Sequence, residues 1–264
     1  MSTPPDGLTP ADVTNLEALA RAIARDRDVL FITGAGLSAD SGLPTYRGVG
    51  GLYDGTNTES GMPIEDALHI DTFRRRPHLT WHHIRTIAQA CDGARPNRGH
   101  HIIAALEQSL DRVVVLTQNV DGFHTKAGSR SVIQIHGDLS QLECTQCAWS
   151  SPMPALSTLP PVPRCPVCAS IARPPVVLFG EALPPAQVER YEAELGRGFG
   201  VVVSVGTSSL FPYIAAPVQI IQSAGGLAAE INPSATVVSP VVDLRIRSGA
   251  AASLDYLGTL LGIG

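Results

Sequence analysis

The sequence predicts an α/β protein built on a Rossmann-like parallel sheet with helices on both faces. Short apolar runs of strand length, such as DVLFIT and VVVSVG, alternate with stretches of helical periodicity. Strands that are buried on both faces of a sheet have this unbroken apolar character. The polar segments GAG, TQNVDG, IHGD, GTS and INPS directly follow the strands, and an open parallel sheet binds its ligands at that edge.

The expected elements follow in order along the chain. Helical periodicity is found at 11–25, 71–91, 98–110 and 213–223, and again in the closing segment LDYLGTLLGIG. Strands are expected at DVLFIT, 112–119, 131–137, 201–206 and 227–232, where β-branched and apolar residues are concentrated.

The net charge and the apolar patterning of the sequence disfavour nucleic acid and membranes as partners. The 264 residues contain 19 Lys plus Arg against 24 Asp plus Glu, a net charge of −5, so neither nucleic acid nor an anionic membrane is favoured. The sequence has no run of about 18 apolar residues that could span a bilayer. Its N-terminal stretch lacks the pattern of a signal peptide. We therefore expect a cytoplasmic protein that contacts neither nucleic acid nor membrane.

Four of the five cysteines form two C-x-x-C pairs, Cys144 with Cys147 and Cys165 with Cys168. In a reducing compartment this pattern favours a metal over disulfides, and four thiolates suit structural zinc. A redox-active C-x-x-C is the alternative, although it needs only one pair. A segment of about 30 residues cannot bury a core of its own. We therefore expect 141–171 to be a small module that folds around Zn²⁺, which has no catalytic role.

The first strand is followed by the turn Gly34-Ala35-Gly36. Glycines at a strand-to-helix turn let the backbone approach a pyrophosphate, although the third glycine of the usual dinucleotide fingerprint is missing. A tight turn without a ligand is the alternative. A polar loop follows, and it contains Ser38, Ser41, Pro44, Tyr46 and Arg47.

Two other strand ends carry candidate functional groups. Gln118, Asn119 and Asp121 suit recognition of a ribose or a carboxamide, and a capped turn is the alternative. His136 follows the third strand. A lone histidine is usually structural, but one beside a glycine-rich turn and an amide cluster is a candidate general base.

Seven segments, taken in order, resemble the sirtuin family of NAD-dependent protein deacylases: GAGLSADSGLPTYRG, TQNVDGFHTKAG, IHGDL, the two C-x-x-C pairs, RPPVVLFGE, VGTSS and INPS. The resemblance extends from about residue 27 to the end. It implies a large Rossmann-like part at about 1–54, 96–140 and 172–264. It also implies a small part, formed by a helical insertion at about 55–95 and the zinc module.

The resemblance implies binding residues for NAD and for an acyl-lysine protein or peptide. At the NAD loop these are Gly34, Ala35, Gly36, Ser38, Pro44, Tyr46 and Arg47. Gln118, Asn119 and Asp121 would surround the nicotinamide and its ribose, and the phosphate and adenosine end would contain Gly206, Thr207, Ser208, Asn232 and Ala251. The substrate peptide would add as a strand at Val177, Phe179, Gly180 and Glu181.

The family's chemistry implies catalytic roles for His136 and Asn119. The acyl oxygen of the substrate attacks C1′ of the nicotinamide ribose as nicotinamide leaves, and His136, as general base, then activates a ribose hydroxyl. The products would be free lysine, nicotinamide and acyl-ADP-ribose. Neutral amides such as Asn119 suit the oxocarbenium-like charge at C1′. Mono-ADP-ribosyl transfer at the same site and an NAD- or zinc-dependent binding module without turnover are the alternatives.

The acyl preference depends on one alignment. In the branch that prefers succinyl- and malonyl-lysine, a Tyr and an Arg three residues later lie on a helix, and LTWHHIRTI places His82 and Arg85 there. This spacing puts both on one helix face, where Arg85 could bind a carboxylate bidentately. A plain deacetylase with a solvated Arg85 is the alternative. Residues 209–216 depart from the family's Val-x-Pro-Ala-Ala pattern, so the peptide preference stays open.

Overall fold

A computed structural model describes residues 7–45 and 62–263. The strands of these residues are β1 (Asp28–Thr33), β2 (Arg112–Thr117), β3 (Val132–Gln134), β4 (Gln141–Cys144), β5 (Ser150–Pro152), β6 (Ala172–Arg173), β7 (Val201–Val205), β8 (Leu227–Ile231) and β9 (Leu244–Ile246). Their helices are α1 (Pro10–Asp26), α2 (Ala35–Ala39), α3 (Ile64–Ala67), α4 (Ile70–Arg75), α5 (Pro77–Asp92), α6 (Arg98–Ser109), α7 (Phe123–Ala127), α8 (Pro185–Gly196), α9 (Pro212–Ser223) and α10 (Ala250–Leu260).

The central sheet has six strands in the order β3-β2-β1-β7-β8-β9, and all of its pairs are parallel. The chain adds strands outward from β1 in one direction and then, from β7, in the other. This is the Rossmann strand order, and its topological switch point lies between β1 and β7. A ligand crevice is therefore expected beyond Thr33 and Val205, where these two strands end.

Helices cover both faces of this sheet, as predicted. On one face α1, α6 and α10 bury a cluster that includes Leu16, Phe31 and Ile103. On the other face α9 packs on a cluster that includes Ile32 and Val202, and residues of α8 lie against it. Burial on both sides explains why the strands read as continuous apolar runs. The predicted fold class is confirmed.

A third apolar cluster joins helices α3, α4 and α5 to the cysteine-containing segment. It includes Trp81 and Ile84 of α5 together with Leu142 of β4 and Leu178. The segment itself forms a small antiparallel sheet in the order β5-β4-β6. Its proline-rich part contains only a short 3₁₀ turn, Leu156–Thr158. The division into a large and a small part stays a prediction, which this separate cluster supports.

Several elements differ from the sequence expectation. The helix predicted at 71–91 is two helices, α4 and α5, because Pro77 lacks the amide donor that would continue α4. Helices α3, α7 and α8 and the edge strand β9 were not predicted. Within residues 7–45 and 62–263, no helix is both long and apolar enough to cross a membrane.

Candidate active site

The strand register places the predicted polar residues along one edge of the sheet. Thr33 pairs with both Thr117 and Val205, so Gly34, Gln118 and Gly206 follow side by side at the strand ends. Val205 in turn pairs with Ile231, which brings Asn232 to the same edge. Parallel strands end together, and short motifs far apart in sequence therefore converge here.

A cavity of about 790 Å³ opens at this edge, within the usual range for small-molecule and cofactor sites. The predicted residues that line it are Gly34, Ala35, Gly36, Gln118, Asn119, His136, Val177, Phe179, Gly180, Glu181, Gly206, Thr207, Ser208 and Asn232. A smaller cavity of about 70 Å³ shares Ala35 and Asn119 with it and adds Ser38, Pro44 and Asp121. Tyr46 and Arg47 lie outside the described residues.

The glycine turn allows two backbones to cross. The amide of Gly36 donates to the carbonyl oxygen of Gly206 over 2.8 Å, and a Cβ on Gly36 would lie only 2.7 Å from the Cα of Gly206. Gly206 itself has a φ of +59°, in the left-handed region that favours glycine. These glycines are therefore required for packing at the switch point as well as for the approach of a ligand.

A hydrogen-bond chain fixes the amide and carboxylate cluster. Asn119 Nδ2 donates to the Gly34 carbonyl over 3.0 Å and to Ser38 Oγ over 3.2 Å, and Ser38 Oγ donates to Asp121 over 2.7 Å. The Phe123 amide donates to the other Asp121 oxygen over 2.8 Å. These bonds favour the charged form of the Asp121 carboxylate and so oppose the effect of burial. Burial is the larger effect, and the pKa of the carboxyl is raised. The glycine turn and the amide cluster are thus one rigid unit.

A second set of bonds joins the strands on the other side of the switch point. Gln118 Nε2 donates to Thr207 Oγ1 over 2.8 Å, and Asn232 Nδ2 donates to the Thr207 carbonyl over 3.1 Å. Ala251 is not among the described residues that line the cavity, and its predicted contact with the adenosine end stays a prediction. Its amide donates to Asp40 over 2.9 Å, and the neighbouring Ala250 lines the cavity instead.

The imidazole of His136 is held between two oxygen atoms. It hydrogen-bonds to the backbone of Gln118, and its Nε2 lies 2.7 Å from the hydroxyl of Tyr213. Burial lowers the pKa of His136 to about 4, so the ring is neutral at physiological pH, as a general base must be. The next residue, Gly137, has a φ of +75°, and a Cβ there would collide with the carbonyl oxygen of Pro175.

The segment 176–181 forms one wall of the cavity. The Val177 amide donates to the His136 carbonyl over 2.9 Å, and Phe179 exchanges backbone bonds with Leu68 and Ile70. Glu181 turns back on its own segment, since its carboxylate accepts from the Leu178 amide over 2.8 Å and from Arg173 over 2.6 Å. The strand predicted to bind the substrate is thus fixed to the base and to the small helices.

The four paired cysteines converge as free thiols. All four sulfur atoms lie within 4.8 Å of one another, and the separations for Cys144–Cys168, Cys147–Cys165 and Cys147–Cys168 are 3.4, 3.6 and 3.7 Å. Sulfurs bound tetrahedrally to one zinc at about 2.3 Å lie about 3.8 Å apart. The cluster fits Zn²⁺, and four protein ligands leave no open position for catalysis.

His82 and Arg85 are not among the described residues that line the cavity, so their role in acyl binding stays a prediction that the cavity lining does not support. The Arg85 guanidinium donates to the carbonyls of Leu156 and Leu159, each over 2.9 Å, and to that of Pro160. His82 is exposed and stacks edge-on against His83. The helix instead presents Ile84 and Ile87 to the cavity. His82 and Arg85 lie on the same helix as these two residues, but on a face that does not line the cavity.

Two aromatic residues beside the base were missed by the sequence reasoning. Phe211 and Tyr213 both line the cavity, and their rings stack at a centroid distance of 5.4 Å and an angle of 14°. The available signal was their position, because they start the helix after β7 at the same sheet edge as His136.

Comparisons with known proteins agree with this geometry. The model of the Sir2 family matches residues 34–211. The chain is 47% identical over 240 residues to NAD-dependent protein deacylase 2 of Pseudomonas aeruginosa, covering 89% of this chain and 93% of that protein. It is 36% identical over 241 residues to NAD-dependent protein deacylase 1 of Archaeoglobus fulgidus, covering 91% and 96%.

Solved structures give the same result. A Sir2 homologue in complex with NAD has a TM-score of 0.82 at 35% identity, with 93% of each chain covered. A Sir2 protein bound to a deacetylated peptide and 3′-O-acetyl-ADP-ribose has a TM-score of 0.84 at 25% identity, covering 94% of this chain and 99% of that one. The resemblance read from the sequence is confirmed, and the chain belongs to the Sir2 family.

Proposed function

We propose that this chain is an NAD-dependent protein-lysine deacylase that transfers the acyl group to ADP-ribose and releases nicotinamide. The observation that carries the proposal is the meeting of His136, Asn119 and the glycine turn in one cavity at the switch point of the sheet. The names of the relatives, and a family member that holds a deacetylated peptide beside acetyl-ADP-ribose, support the same reaction.

The donors of the cavity suit a dinucleotide. Ala35 and Gly36 would line the NAD loop, and Gly206, Thr207 and Ser208 would hold the phosphates. Asn232 would bind the adenosine ribose, and the nicotinamide ribose would lie beside Gln118, Asn119 and Asp121. The smaller cavity behind Asn119 would take the nicotinamide ring. Tyr46, Arg47 and Ala251 remain predicted contacts that rest on the resemblance alone.

NAD supplies an electrophilic ribose carbon and a nicotinamide leaving group. His136 would accept the proton of a ribose hydroxyl at Nε2, and the ring can do so because burial keeps it neutral. Asn119 is held by Gly34 and Ser38 and would orient the reacting ribose. A fixed amide tolerates positive charge at C1′ without rearranging.

We propose that the acyl group is uncharged. Of the described residues that line the main cavity, none is Lys or Arg. The guanidinium of Arg85 donates its hydrogen bonds to three backbone carbonyls of the zinc module. Ile84, Ile87 and Leu139 form an apolar wall. A distal carboxylate would lose its hydration there without gaining a partner.

We also propose a zinc-folded module and a cytosolic location. The convergence of four free thiols supports both, because it suits a metal in a reducing compartment. The expectation that the protein contacts neither nucleic acid nor membrane stays a prediction. Mono-ADP-ribosyl transfer, which would use the same cavity, is an outcome of the test below.

The proposal is tested by incubating the purified protein with an acetyl-lysine peptide, with and without NAD, and analysing all products by mass spectrometry. We expect deacetylated peptide, nicotinamide and acetyl-ADP-ribose in equal amounts, and only when NAD is present. Addition of ADP-ribose to a protein with the peptide left intact would contradict the proposal and support the transferase. A peptide left intact without any ADP-ribosylated product would also overturn it.

A further inference from the structure

The lone pair on Nε2 of His136, the proposed base, already accepts a hydrogen bond within the protein. The carbonyl of Gln118 can only accept, so the bond between it and the imidazole requires the His136 proton to be on Nδ1. Nε2 then carries a single lone pair in the ring plane, and the Tyr213 hydroxyl, 2.7 Å away, donates to it. A second hydroxyl cannot donate to the same lone pair.

The Tyr213 hydroxyl is held in this position. The ring stacks on Phe211, and the backbone carbonyl of Tyr213 accepts a bond of 2.8 Å from the hydroxyl of Tyr191. Phe211 also packs edge-on against His136, with ring centroids 5.7 Å apart. The ring is thus held by its stacking on Phe211 and the backbone by Tyr191, so displacing the phenol costs free energy, and a substrate hydroxyl would reach Nε2 through the Tyr213 oxygen.

We propose that Tyr213 is a catalytic residue that relays the proton from the ribose hydroxyl to His136. The O–H bond of the ribose breaks as its proton moves to the Tyr213 oxygen, and the phenolic O–H bond breaks as that proton moves to Nε2. The ribose oxygen is left nucleophilic, the imidazole becomes imidazolium, and Tyr213 ends as the neutral phenol. This inference rests on the proposed function and adds one residue to its machinery.

The relay fits the chemistry of the phenol. Burial raises the pKa of Tyr213 to about 12, so the residue is a protonated donor at neutral pH. It gives up one proton while it gains another and does not accumulate as phenolate. The sequence departs from the family pattern in the segment that supplies this residue, so the relay would be a property of this chain.

The test compares Tyr213→Phe, which keeps the stacked ring, with Tyr256→Phe, the same change on α10, which packs on the opposite face of the sheet. In the ligand-free protein, the ¹⁵N resonance of His136 Nε2 should move in Tyr213→Phe, where an acceptor bond is lost, and stay in place in Tyr256→Phe. An unmoved resonance in Tyr213→Phe would overturn the placement of the hydroxyl, whatever the protein catalyses.

Activity then separates a relay from a packing role. Nicotinamide release precedes the proton transfer, so Tyr213→Phe should still exchange labelled nicotinamide into NAD in the presence of acetyl peptide. Deacetylation should fall by about 10²–10³-fold, within the usual range for removal of a proton-transfer group. Unchanged deacetylation, or an equal fall in both rates, would overturn the relay. Activity in wild type and Tyr256→Phe would leave the proposed function standing in either case.

Discussion

The carboxyl edge of the central sheet and the region where α5 meets the zinc module hold their residues in different ways. At the sheet edge, polar side chains from three strand ends bond to one another, as Asn119 does with Ser38 and Gln118 with Thr207. Around α5 the packing is apolar, and Arg85 bonds to the carbonyls of the zinc module rather than to the cavity. This difference supports the proposed roles, in which the sheet edge carries the chemistry and the α5 region selects the acyl group.

Removal of the metal should have the largest effect, because α5 packs on Leu142 of the zinc module and Arg85 bonds to its carbonyls. Chelation, or Cys144→Ala, should unfold the 141–171 module, lower the melting temperature and abolish turnover. Thermal unfolding followed with zinc analysis checks this. Ser150→Ala, which changes an exposed residue of the same module, is the control. A metal-free protein with full fold and activity would show that the four thiols do not form a structural site.

At the sheet edge, His136→Ala should reduce deacylation by about 10²–10⁴-fold, the usual range for loss of a general base. NAD binding and the melting temperature should change little, since the backbone bond to Val177 remains. Steady-state rates and NAD titration measure the two quantities, with the exposed His101→Ala as control. A variant that keeps more than about a tenth of wild-type activity would exclude His136 as the base.

The sequence predicted the sheet edge far better than the α5 region, and the reason is physical. Parallel register forces Gly34, Gln118 and Gly206 together once the strands are recognised, so short motifs at strand ends locate the cavity. The direction of the Arg85 side chain depends instead on where the carbonyls of Leu156 and Leu159 lie, and these are distant in sequence. Helical spacing gives a face but cannot say which partner that face meets.

Arg85→Met tests the α5 region directly. It should lower the free energy of unfolding by about 1.5–3 kcal/mol, because the bonds of a charged donor to three carbonyls are lost. The ratio of kcat/KM for succinyl- and acetyl-lysine peptides should stay the same. Urea unfolding and paired kinetics measure both, and Arg75→Met, on the exposed face of α4, is the control. A fall in the ratio of kcat/KM for the succinyl peptide to that for the acetyl peptide would show that Arg85 binds the acyl carboxylate.

A smaller effect concerns pH. Burial lowers the pKa of His100 to about 4 and that of His124 to about 3, whereas the unfolded chain has values near 6.5. Below about pH 6.5 the unfolded state binds more protons, so the free energy of unfolding should fall as the pH falls toward 4.

The slope of that decrease is the measurement, taken from urea unfolding between pH 7.5 and 5. His124→Gln should flatten the slope, because one of the three rings that burial keeps neutral, His100, His124 and His136, is removed. His78→Gln, which changes an exposed histidine of α5, should leave it unchanged. Equal slopes in wild type and His124→Gln would mean that His124 is not held neutral by the fold.

A competition experiment tests most directly whether the sheet edge carries out deacylation and the α5 region selects the acyl group. Acetyl- and succinyl-lysine versions of one peptide are mixed with NAD and the wild-type protein, and peptides and nucleotide products are followed by mass spectrometry. The structure predicts that the acetyl peptide is consumed first and that acetyl-ADP-ribose accumulates in step with nicotinamide. Faster loss of the succinyl peptide would contradict the neutral acyl cavity, and ADP-ribosylated protein with both peptides intact would contradict the deacylase itself.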